Sequence, residues 1–344
     1  MTEDPGELSP REATHRFLTR RATEDTESSI NTYYYRLKLW FAWCEEQGIE
    51  HVSDLTGWSF EQYEVHRASQ KNAPSTLHND MDTLKVLVEY LEQIEAVDDG
   101  LAEKVHVPHV SLAERSRETK LDTDDAARLL KFFRNNEMLY GTRKHAFLEL
   151  AWHTGARLGG IRALDVRDYS SENQTAEFVH RPNSGTPLKN KTKGERIVGL
   201  RGEVCDVLDA YIRSHRDDTK DDHKRQPLFT TYLGRPGLNT IRVMSYVVTQ
   251  PCIYGDCPHG YDKNVCEFRA RNHSSKCPSS RSPHHIRTGS ITWHRDCGVP
   301  AEVTAKRVNA SLEVIQQYYD KATKREELEN RRRPHLRKLS VEEI

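Results

Sequence analysis

The chain has 344 residues, of which 30% are charged, and its 51 lysines and arginines are balanced by 52 aspartates and glutamates. This length suggests two domains, and no membrane span is expected because no run of 18 apolar residues occurs. The even balance does not suggest a polyanion partner, so any nucleic-acid contact must come from local basic clusters. Seven cysteines without a secretory signal predict a reducing, cytoplasmic environment.

The first third of the chain has the pattern of a small all-α domain. Residues 1–10 are predicted to form a flexible tail, and residues 11–105 to form helices. Apolar side chains there recur on one helical face: Tyr33, Leu37, Trp40, Phe41 and Cys44 in one helix, and Leu84, Leu87, Val88 and Leu91 in another that opens with Pro-Ser-Thr. A short helix is expected between them. Residues 106–120 have no clear period and are predicted to be a linker.

The remaining residues, 121–344, predict a second domain that is mainly helical. A helix is expected to begin at Asp122 or Thr123, and "HAFLELAWHT" forms another that Gly155 ends. "TAEFVH" and "ERIVGL" alternate like two strands of a hairpin, and "EVCDVLDAYIRSHR" is helical. Residues 250–280 are rich in Cys, Gly, Asn and Ser and fit no regular element. The predicted fold class is therefore mainly α with a small β-sheet.

Several polar residues in this second domain stand where chemistry could use them. Arg157 follows a Thr-Gly turn and is expected at a helix start, although alone it could be an ordinary surface arginine. His284 and Arg287 follow Pro283 and are three residues apart, so they share one helix face. The alternative is a solvated face.

Lysines and tyrosines complete the set. Lys189, Lys191 and Lys193 alternate in the predicted hairpin and would point the same way if the segment is extended. Tyr318 and Tyr319 lie on a helical stretch near the end of the chain. The alternatives are solvated lysines and tyrosines that pack in the core, the latter expected for one of the pair.

Two arginines, a histidine, a lysine and a tyrosine together suit one reaction, the attack on a phosphodiester. Arginine forks bind nonbridging phosphate oxygens bidentately. A tyrosine hydroxyl can be the nucleophile and form a phosphotyrosine, and a lysine can protonate the leaving 5′ oxygen. The arginines stabilise the developing charge, so no metal is needed for the chemistry.

The order Arg, Lys, His-x-x-Arg, Tyr resembles that of the tyrosine recombinases, or phage integrases. Their Thr-Gly-x-Arg box corresponds to residues 154–157, and their Pro-His-x-hydrophobic-Arg box to residues 283–287. The resemblance covers the whole chain. It implies an all-α core-binding domain in residues 11–105 and an α+β catalytic domain of the DNA breaking-rejoining fold in residues 121–344. It also implies that Arg157 and Arg287 clamp the phosphate and that His284 assists proton transfer or orients the phosphate.

The chain departs from the family pattern at three places. Gly160 stands where the family usually has an acid, and Thr288 where it often has a histidine. Asn309-Ala310 replaces a Gly-His pair, and Asn309 is expected to replace the histidine's hydrogen bond to phosphate. The break leaves two possible nucleophiles. A resemblance to a branch associated with archaeal genomes, in which a Tyr-Asp pair follows a non-tyrosine, favours Tyr319, and Tyr318 is the alternative.

The identity of the general-acid lysine also rests on the resemblance. The family's hairpin lysine precedes a strand-end proline, and Gly199 takes that proline's place here. This position indicates Lys191, with Lys193 as the alternative.

Four cysteines are concentrated within the irregular segment. Cys252, Cys257, Cys266 and Cys277, with His259 and His273 between them, predict a structural zinc site within residues 250–280. The alternative is four free cysteines in a loop, which would leave a long structureless segment inside a domain. A Cys-rich insertion before the His-x-x-Arg box also resembles the same branch. Cys44, Cys205 and Cys297 lie on apolar patterns and are expected in the core.

These patterns lead to one expected function and two alternatives. The expected function is site-specific DNA recombination that integrates or excises a mobile element at attachment-type sites in double-stranded DNA. The resemblance implies a tetramer on two DNA sites from a chain that is a monomer or dimer off DNA, located in the cytoplasm with the nucleoid. The alternatives are a type IB topoisomerase and a catalytically inactive, zinc-bearing DNA-binding regulator. The basic segment after the tyrosines would dock on a neighbouring subunit or form a solvated tail.

Overall fold

The structure of the protein is a computed structural model that describes residues 4–111, 114 and 118–339, with side chains as far as residue 336. The chain divides into two compact units, Met1–Arg117 and Glu118–Ile344. In the part of the chain that is described, no helix has both the length and the apolar character needed to cross a membrane.

The N-terminal unit is all-helical. Its helices are α1 (Pro10–Arg21), α2 (Glu27–Gln47), α3 (Gly57–Ser69) and α4 (Pro74–Gln93). The apolar faces predicted for α2 and α4 are buried in one core, apart from Tyr33, which is half-buried. Pro74 occupies the first turn of α4, where its missing N–H costs no hydrogen bond.

The prediction of a flexible tail at residues 1–10 is wrong for residues 4–10, and residues 1–3 lie outside the described residues. Ser9 caps α1 by accepting a hydrogen bond from the backbone N–H of Glu12, and the Glu12 carboxylate bonds the Ser9 backbone in return. Leu8 is buried in the core, and its carbonyl accepts from the backbone N–H of Val52 at 2.8 Å. A capping box and one buried leucine therefore order this segment.

The C-terminal unit surrounds a buried central helix with further helices and a small sheet. The helices are α5 (Thr123–Arg134), α6 (Arg143–Thr154), α7 (Leu158–Ala163), α8 (Gly202–Ser214), α9 (Leu238–Val248), α10 (Pro283–Asp296) and α11 (Ala301–Val308). In α6, five successive residues from His145 to Glu149 are buried, so this helix is covered on all sides.

The sheet has three antiparallel strands in the order β1-β2-β3: Tyr169–Ser170, Thr175–Phe178 and Arg196–Gly199. The two longer strands form the predicted hairpin, with Ala176 opposite Val198 and Phe178 opposite Arg196. β1 was not predicted, because two residues are too few to carry an alternating pattern.

The hairpin loop differs from the prediction. Asn190 and Lys191 have positive φ angles of 73° and 52°, and Lys191–Gly194 form a short helical turn. The segment is therefore not extended, and the expectation that the three lysines alternate on one face is wrong.

One of the three cysteines expected in the core is not there. Cys44 and Cys205 are buried, as predicted, but Cys297 is exposed. It caps the C-terminal end of α10, where the chain leaves the core, so the apolar pattern before it does not continue.

The chain after α11 carries the tyrosines. A helical turn at Leu312–Val314 continues into a wider π-type turn at Ile315–Tyr319. Short helical segments follow at Lys324–Glu326, Glu327–Arg332 and Arg333–Leu339.

Candidate active site

The first arginine of the site is placed by a sharp turn after the central helix. α6 ends at Gly155, which has a φ angle of +58°, a left-handed conformation that glycine adopts without strain. The turn makes Arg157 the N-cap residue of α7, as predicted. Its Nη1 donates a hydrogen bond to the backbone carbonyl of Asn309 at 2.5 Å, so Arg157 points toward the end of α11.

The second arginine comes from α10 and is almost fully buried. Ser282 caps this helix and Pro283 begins it, so Arg287 faces inward from its second turn. Arg287 is 2% exposed. Its Nη1 donates to the carbonyls of Gly155 and Val308 at 2.5 and 2.8 Å, whereas Nε and Nη2 have no hydrogen-bond partner among the described residues.

Such a buried cation is poised to bind an anion. Burial lowers the pKa of Arg287 to about 10, which still leaves the guanidinium charged at neutral pH. The three N–H groups of Nε and Nη2 are buried without an acceptor among the described residues, and a phosphate would supply acceptor oxygens.

Tyr319 lies directly against this arginine. The Tyr319 ring centre is 4.7 Å from the Arg287 guanidinium carbon and 5.2 Å from the centre of the His284 ring. Thr292 on α10 holds the Tyr319 backbone by donating to its carbonyl at 3.1 Å. Tyr319 is buried in a small apolar cluster with Ile291 and Ile315, and the half-buried Tyr318 packs against the same cluster from outside. The structure thus brings Tyr319, not Tyr318, to the His284–Arg287 face.

The backbone conformation of Asn309 also favours Tyr319 over Tyr318 when the chain is aligned with the family pattern. Asn309 ends α11 with φ +54° and ψ +64°, in the left-handed region that favours glycine. It therefore occupies the place expected for the glycine of a Gly-His pair, and Ala310 takes the place of the histidine. Tyr319 lies nine residues beyond Ala310.

The side chain of Asn309 ties the hairpin loop to the site. Its Nδ2 donates to the carbonyl of Lys189 at 3.1 Å, and its Oδ1 accepts from Asn190 Nδ2 at 3.2 Å. Lys191 and Lys193 follow on the same loop and are exposed. The loop that carries both lysines is thus held at the end of α11, and its geometry does not choose between them.

His284 is neutral at physiological pH. Burial lowers its pKa, and the neighbouring positive charges of Arg287 and Arg157 lower it further. A neutral imidazole can accept a proton, which suits a group that lies against a tyrosine.

The sequence analysis missed a third arginine at this site. Arg196, the first residue of β3, stacks its guanidinium 4.1 Å from the ring centre of Phe178. Its Nε donates to the carbonyl of Arg307 at 2.7 Å and its Nη1 to that of Gly194 at 3.0 Å. Burial lowers its pKa to about 10, and repulsion from Arg287 and Arg157 acts in the same direction. The available signal was its alternation with buried Val198, which put a charged residue on the inward face of a strand.

The four cysteines of the irregular segment line one small pocket together with His259. They are Cys252, Cys257, Cys266 and Cys277; each is half-buried, and none forms a disulfide. Within residues 4–111, 114 and 118–339, no group of three or more His, Cys, Asp or Glu side chains is arranged to hold a metal ion.

Comparisons with known proteins agree with the geometry. No protein-family model matches the chain. A curated relative, tyrosine recombinase XerC 2 of Ralstonia nicotianae, is 25% identical over 244 residues. The match covers 64% of this chain and 65% of that protein, so the chain spans somewhat less than two thirds of the relative's length.

Solved structures match over most of the chain. The Tn1549 transposon integrase, in complex with a circular intermediate DNA, has a TM-score of 0.64 at 15% identity and covers 96% of this chain and 99% of its own. A lambda integrase dimer bound to a COC′ core site has a TM-score of 0.60 at 11% identity, with coverages of 93% and 80%. The predicted fold class is confirmed, and so is the resemblance to tyrosine recombinases.

Proposed function

We propose that this chain is a site-specific tyrosine recombinase that cleaves and rejoins double-stranded DNA through a 3′-phosphotyrosyl intermediate. The observation that carries the proposal is the packing of Tyr319 against His284 and a buried Arg287, whose Nε and Nη2 have no hydrogen-bond partner in the part of the chain that is described. A tyrosine beside unused arginine donors has the chemistry that a phosphodiester requires.

Cleavage proceeds by in-line displacement at the scissile phosphorus. The Tyr319 hydroxyl oxygen attacks, a P–O bond to the tyrosine forms, and the bond to the 5′ oxygen breaks. Neutral His284 accepts the tyrosyl proton or orients the phosphate. Arg157 and Arg287 bind the nonbridging oxygens, whose negative charge grows in the transition state.

The leaving 5′ oxygen needs a proton. A lysine of the hairpin loop, Lys191 or alternatively Lys193, supplies it as a general acid. This role is supported by the tie between the loop and Asn309, whose own carbonyl binds Arg157.

Strand exchange reverses the same chemistry on a partner duplex. A 5′ hydroxyl of the partner attacks the phosphotyrosine, releases Tyr319 and restores a phosphodiester. One ester replaces another at each step, so no nucleotide hydrolysis and no catalytic metal is required. We propose that four protomers assemble on two attachment-type sites, and that the reaction integrates or excises a mobile element in the cytoplasm.

The proposal is tested with a duplex that traps the intermediate. A binding site is first selected from random duplexes with the wild-type chain. That site is then nicked next to the scissile phosphate, so that the leaving fragment diffuses away and the covalent adduct accumulates. A denaturing gel compares wild type, Tyr319→Phe and Tyr318→Phe. We expect the adduct to be lost in Tyr319→Phe and retained in Tyr318→Phe.

The other outcomes each favour an alternative. Tight, sequence-specific binding to DNA without an adduct from wild type or either variant would indicate a catalytically inactive regulator. This alternative is relevant because Gly160 replaces the family's acid and Asn309-Ala310 replaces its Gly-His pair. Relaxation of any supercoiled plasmid without a partner site would indicate a topoisomerase. An adduct lost only in Tyr318→Phe would show that Tyr318, and not Tyr319, is the nucleophile.

We further propose that the segment 250–280 binds one structural zinc ion through Cys252, Cys257, Cys266 and Cys277. The proposal is supported by their common pocket, by the absence of disulfides among them, and by the few short turns that otherwise order the segment. Structural zinc sites are tetrahedral, and four thiolates are one of their usual ligand sets. A bound ion would brace the passage into α10, which carries His284 and Arg287.

Metal analysis of the purified chain tests the zinc proposal. We expect about one zinc per chain, reduced in Cys266→Ser and unchanged in the control Cys297→Ser, which alters an exposed cysteine outside the segment. The same zinc content in all three proteins would exclude these cysteines as ligands.

A further inference from the structure

Three successive carbonyls at the end of α11 are each bound by a different arginine. The pairs are Arg196 Nε with Arg307 O at 2.7 Å, Arg287 Nη1 with Val308 O at 2.8 Å, and Arg157 Nη1 with Asn309 O at 2.5 Å. The three side chains come from β3, from α10 and from the start of α7. Helix C-termini carry partial negative charge, so they attract cations. Here this attraction gathers three guanidinium groups around one helix end.

The cluster contains no compensating acid. The charges that act on Arg196 come from Arg287, Arg157 and Arg307, all of the same sign. Among the described residues, no carboxylate lies within ion-pair distance of the three clustered arginines. Like charges held together in a partly buried place repel one another, and a bound anion would remove that cost.

The side chain of Arg196 is held in place by an aromatic ring on the neighbouring strand. Its guanidinium lies over the Phe178 ring, its cross-strand neighbour. Gly160 packs under the same ring, since a Cβ at this position would come within 3.3 Å of Phe178 Cδ1. A glycine there leaves room for the ring and brings no acid into the cluster.

Arg196 also faces a small opening that it shares with Arg157. Arg157, Gly160, Arg196 and Asn309 line one pocket. Because Nε and Nη1 of Arg196 are engaged with carbonyls, Nη2 is its donor left to bind a ligand.

The geometry points to Arg196 as a third arginine of the active site that binds a nonbridging oxygen of the scissile phosphate beside Arg157 and Arg287. This inference rests on the proposed function and adds a catalytic residue to it. The negative charge that builds on the phosphorane-like transition state would be shared by three guanidinium groups. The aromatic ring and the carbonyls hold Arg196 in position before DNA binds, so little conformational entropy is lost at that step.

The test compares two substrates in the same protein preparation. The nicked duplex is made once with an ordinary scissile phosphate and once with a methylphosphonate, in which a methyl group replaces one charged oxygen. We expect Arg196→Gln to slow adduct formation about 10²–10³-fold on the phosphate. On the neutral methylphosphonate, that defect should shrink by about tenfold or more, because less charge needs to be stabilised.

The control is Arg216→Gln, which removes another well-buried arginine that holds a backbone carbonyl, that of Pro227. Its defect, if any, should be equal on both substrates. A ratio of rates within one preparation does not depend on how much of the protein is folded. An Arg196→Gln defect of equal size on both substrates would mean that Arg196 only supports the fold, and the inference would be overturned.

A second measurement separates this inference from the proposed function. If the wild type forms no adduct, the recombinase proposal fails, and calorimetry with inorganic phosphate then decides the role of Arg196. We expect phosphate to bind wild type and Arg216→Gln alike and to bind Arg196→Gln about tenfold more weakly. Equal affinities in all three proteins would overturn the inference.

Discussion

At the scale of single residues, the site depends on charges that the fold has removed from water before any ligand binds. Among the residues that the structure describes, Nε and Nη2 of Arg287 are buried without hydrogen-bond partners, and the Arg196 guanidinium stacks on the Phe178 ring. The unpartnered nitrogens of Arg287 cost free energy in the free protein, whereas the aromatic ring stabilises Arg196. A site of this kind is preorganised, since the donors need no rearrangement when negative charge develops on a phosphate.

His284 gives the site a predictable response to pH. Its pKa lies below the usual value of 6.5 because the ring is buried and faces Arg287 and Arg157. Protonation would remove its ability to accept the tyrosyl proton. We therefore expect the acidic fall in the rate of adduct formation to have its midpoint below the pH at which an ordinary histidine titrates. The measurement is the pH profile of single-turnover cleavage on the nicked duplex.

His284→Gln provides the comparison for that profile. We expect its cleavage rate to be about 10²–10⁴-fold lower and to lack the acidic fall. If the rate of adduct formation in His284→Gln still fell at the same acidic pH as in wild type, the titrating group would be a residue other than His284.

At the scale of elements, the end of α11 is where the parts of the site meet. Its last carbonyls bind the three arginines, and the Asn309 side chain holds the hairpin loop. One short helix end thereby fixes the position of a strand, a loop and two other helices relative to one another. The left-handed conformation of Asn309 turns the chain from this end toward the tyrosines.

The segment after the tyrosines folds back and holds them. Arg331 donates to both oxygens of Asp320 at 2.7 and 2.8 Å, and to Asp296 at the end of α10 at 2.7 Å. Asp320 directly follows Tyr319. This half-buried fork joins the tyrosine segment to the helix that carries His284, and such bidentate pairs are among the stronger charged contacts.

Removal of that fork should loosen the tyrosine. We expect Arg331→Ala to lower the free energy of unfolding by about 2 kcal/mol, because Asp320 and Asp296 lose their partner, and to slow adduct formation. Arg333→Ala is the matched control, since Arg333 pairs with Glu329 on an exposed surface and should change neither quantity. Urea unfolding and the trapping gel measure the two effects. Equal behaviour of the two variants would contradict this role of Arg331.

At the scale of the whole molecule, the charge balance conceals a local separation of charge. The chain carries a formal net charge of −1, yet the end of α11 gathers three arginines, none of which forms an ion pair with a described acidic residue. Another buried arginine, Arg235, is neutralised by pairing with both Asp165 and Asp221 in the interior of the C-terminal unit. Total charge is therefore a poor guide to what this protein binds.

A half-buried histidine, His153, and a buried one, His294, predict how stability depends on pH. Burial and the charge of Arg307 lower the pKa of His153 and of His294 from 6.5 to about 4. Between those values the unfolded chain binds protons that the folded chain does not, so stability is complete above about pH 6.5 and is lost as the pH falls toward 4. At pH 5 the loss should be roughly 2 kcal/mol per histidine.

Urea unfolding at pH 7 and at pH 5 measures this loss. In His294→Gln the difference between the two pH values should shrink by about half, since one of the two titrating groups is gone. If the difference in unfolding free energy between pH 7 and pH 5 were the same in wild type and His294→Gln, His294 would not contribute to the pH dependence.

The sequence alone determined the features that depend on neighbours along the chain. Local periodicity and backbone preference predict four of these features. They are the helical face of Leu37 and Trp40, the end of α6 at a glycine, the β2–β3 hairpin, and the position of Arg157 at a helix start. The resemblance to tyrosine recombinases was also visible in the sequence, because the order of the two arginine motifs can be recognised without knowledge of any contact.

Only the tertiary structure decided what depends on segments that are far apart in the chain. It brought Tyr319 rather than Tyr318 to Arg287, tied the lysine loop to Asn309, ordered the start of the chain through Leu8, and placed Arg196 beside the other arginines. Each of these results rests on packing and on hydrogen bonds between distant residues. A local pattern holds no information about which distant carbonyl or ring a side chain will meet.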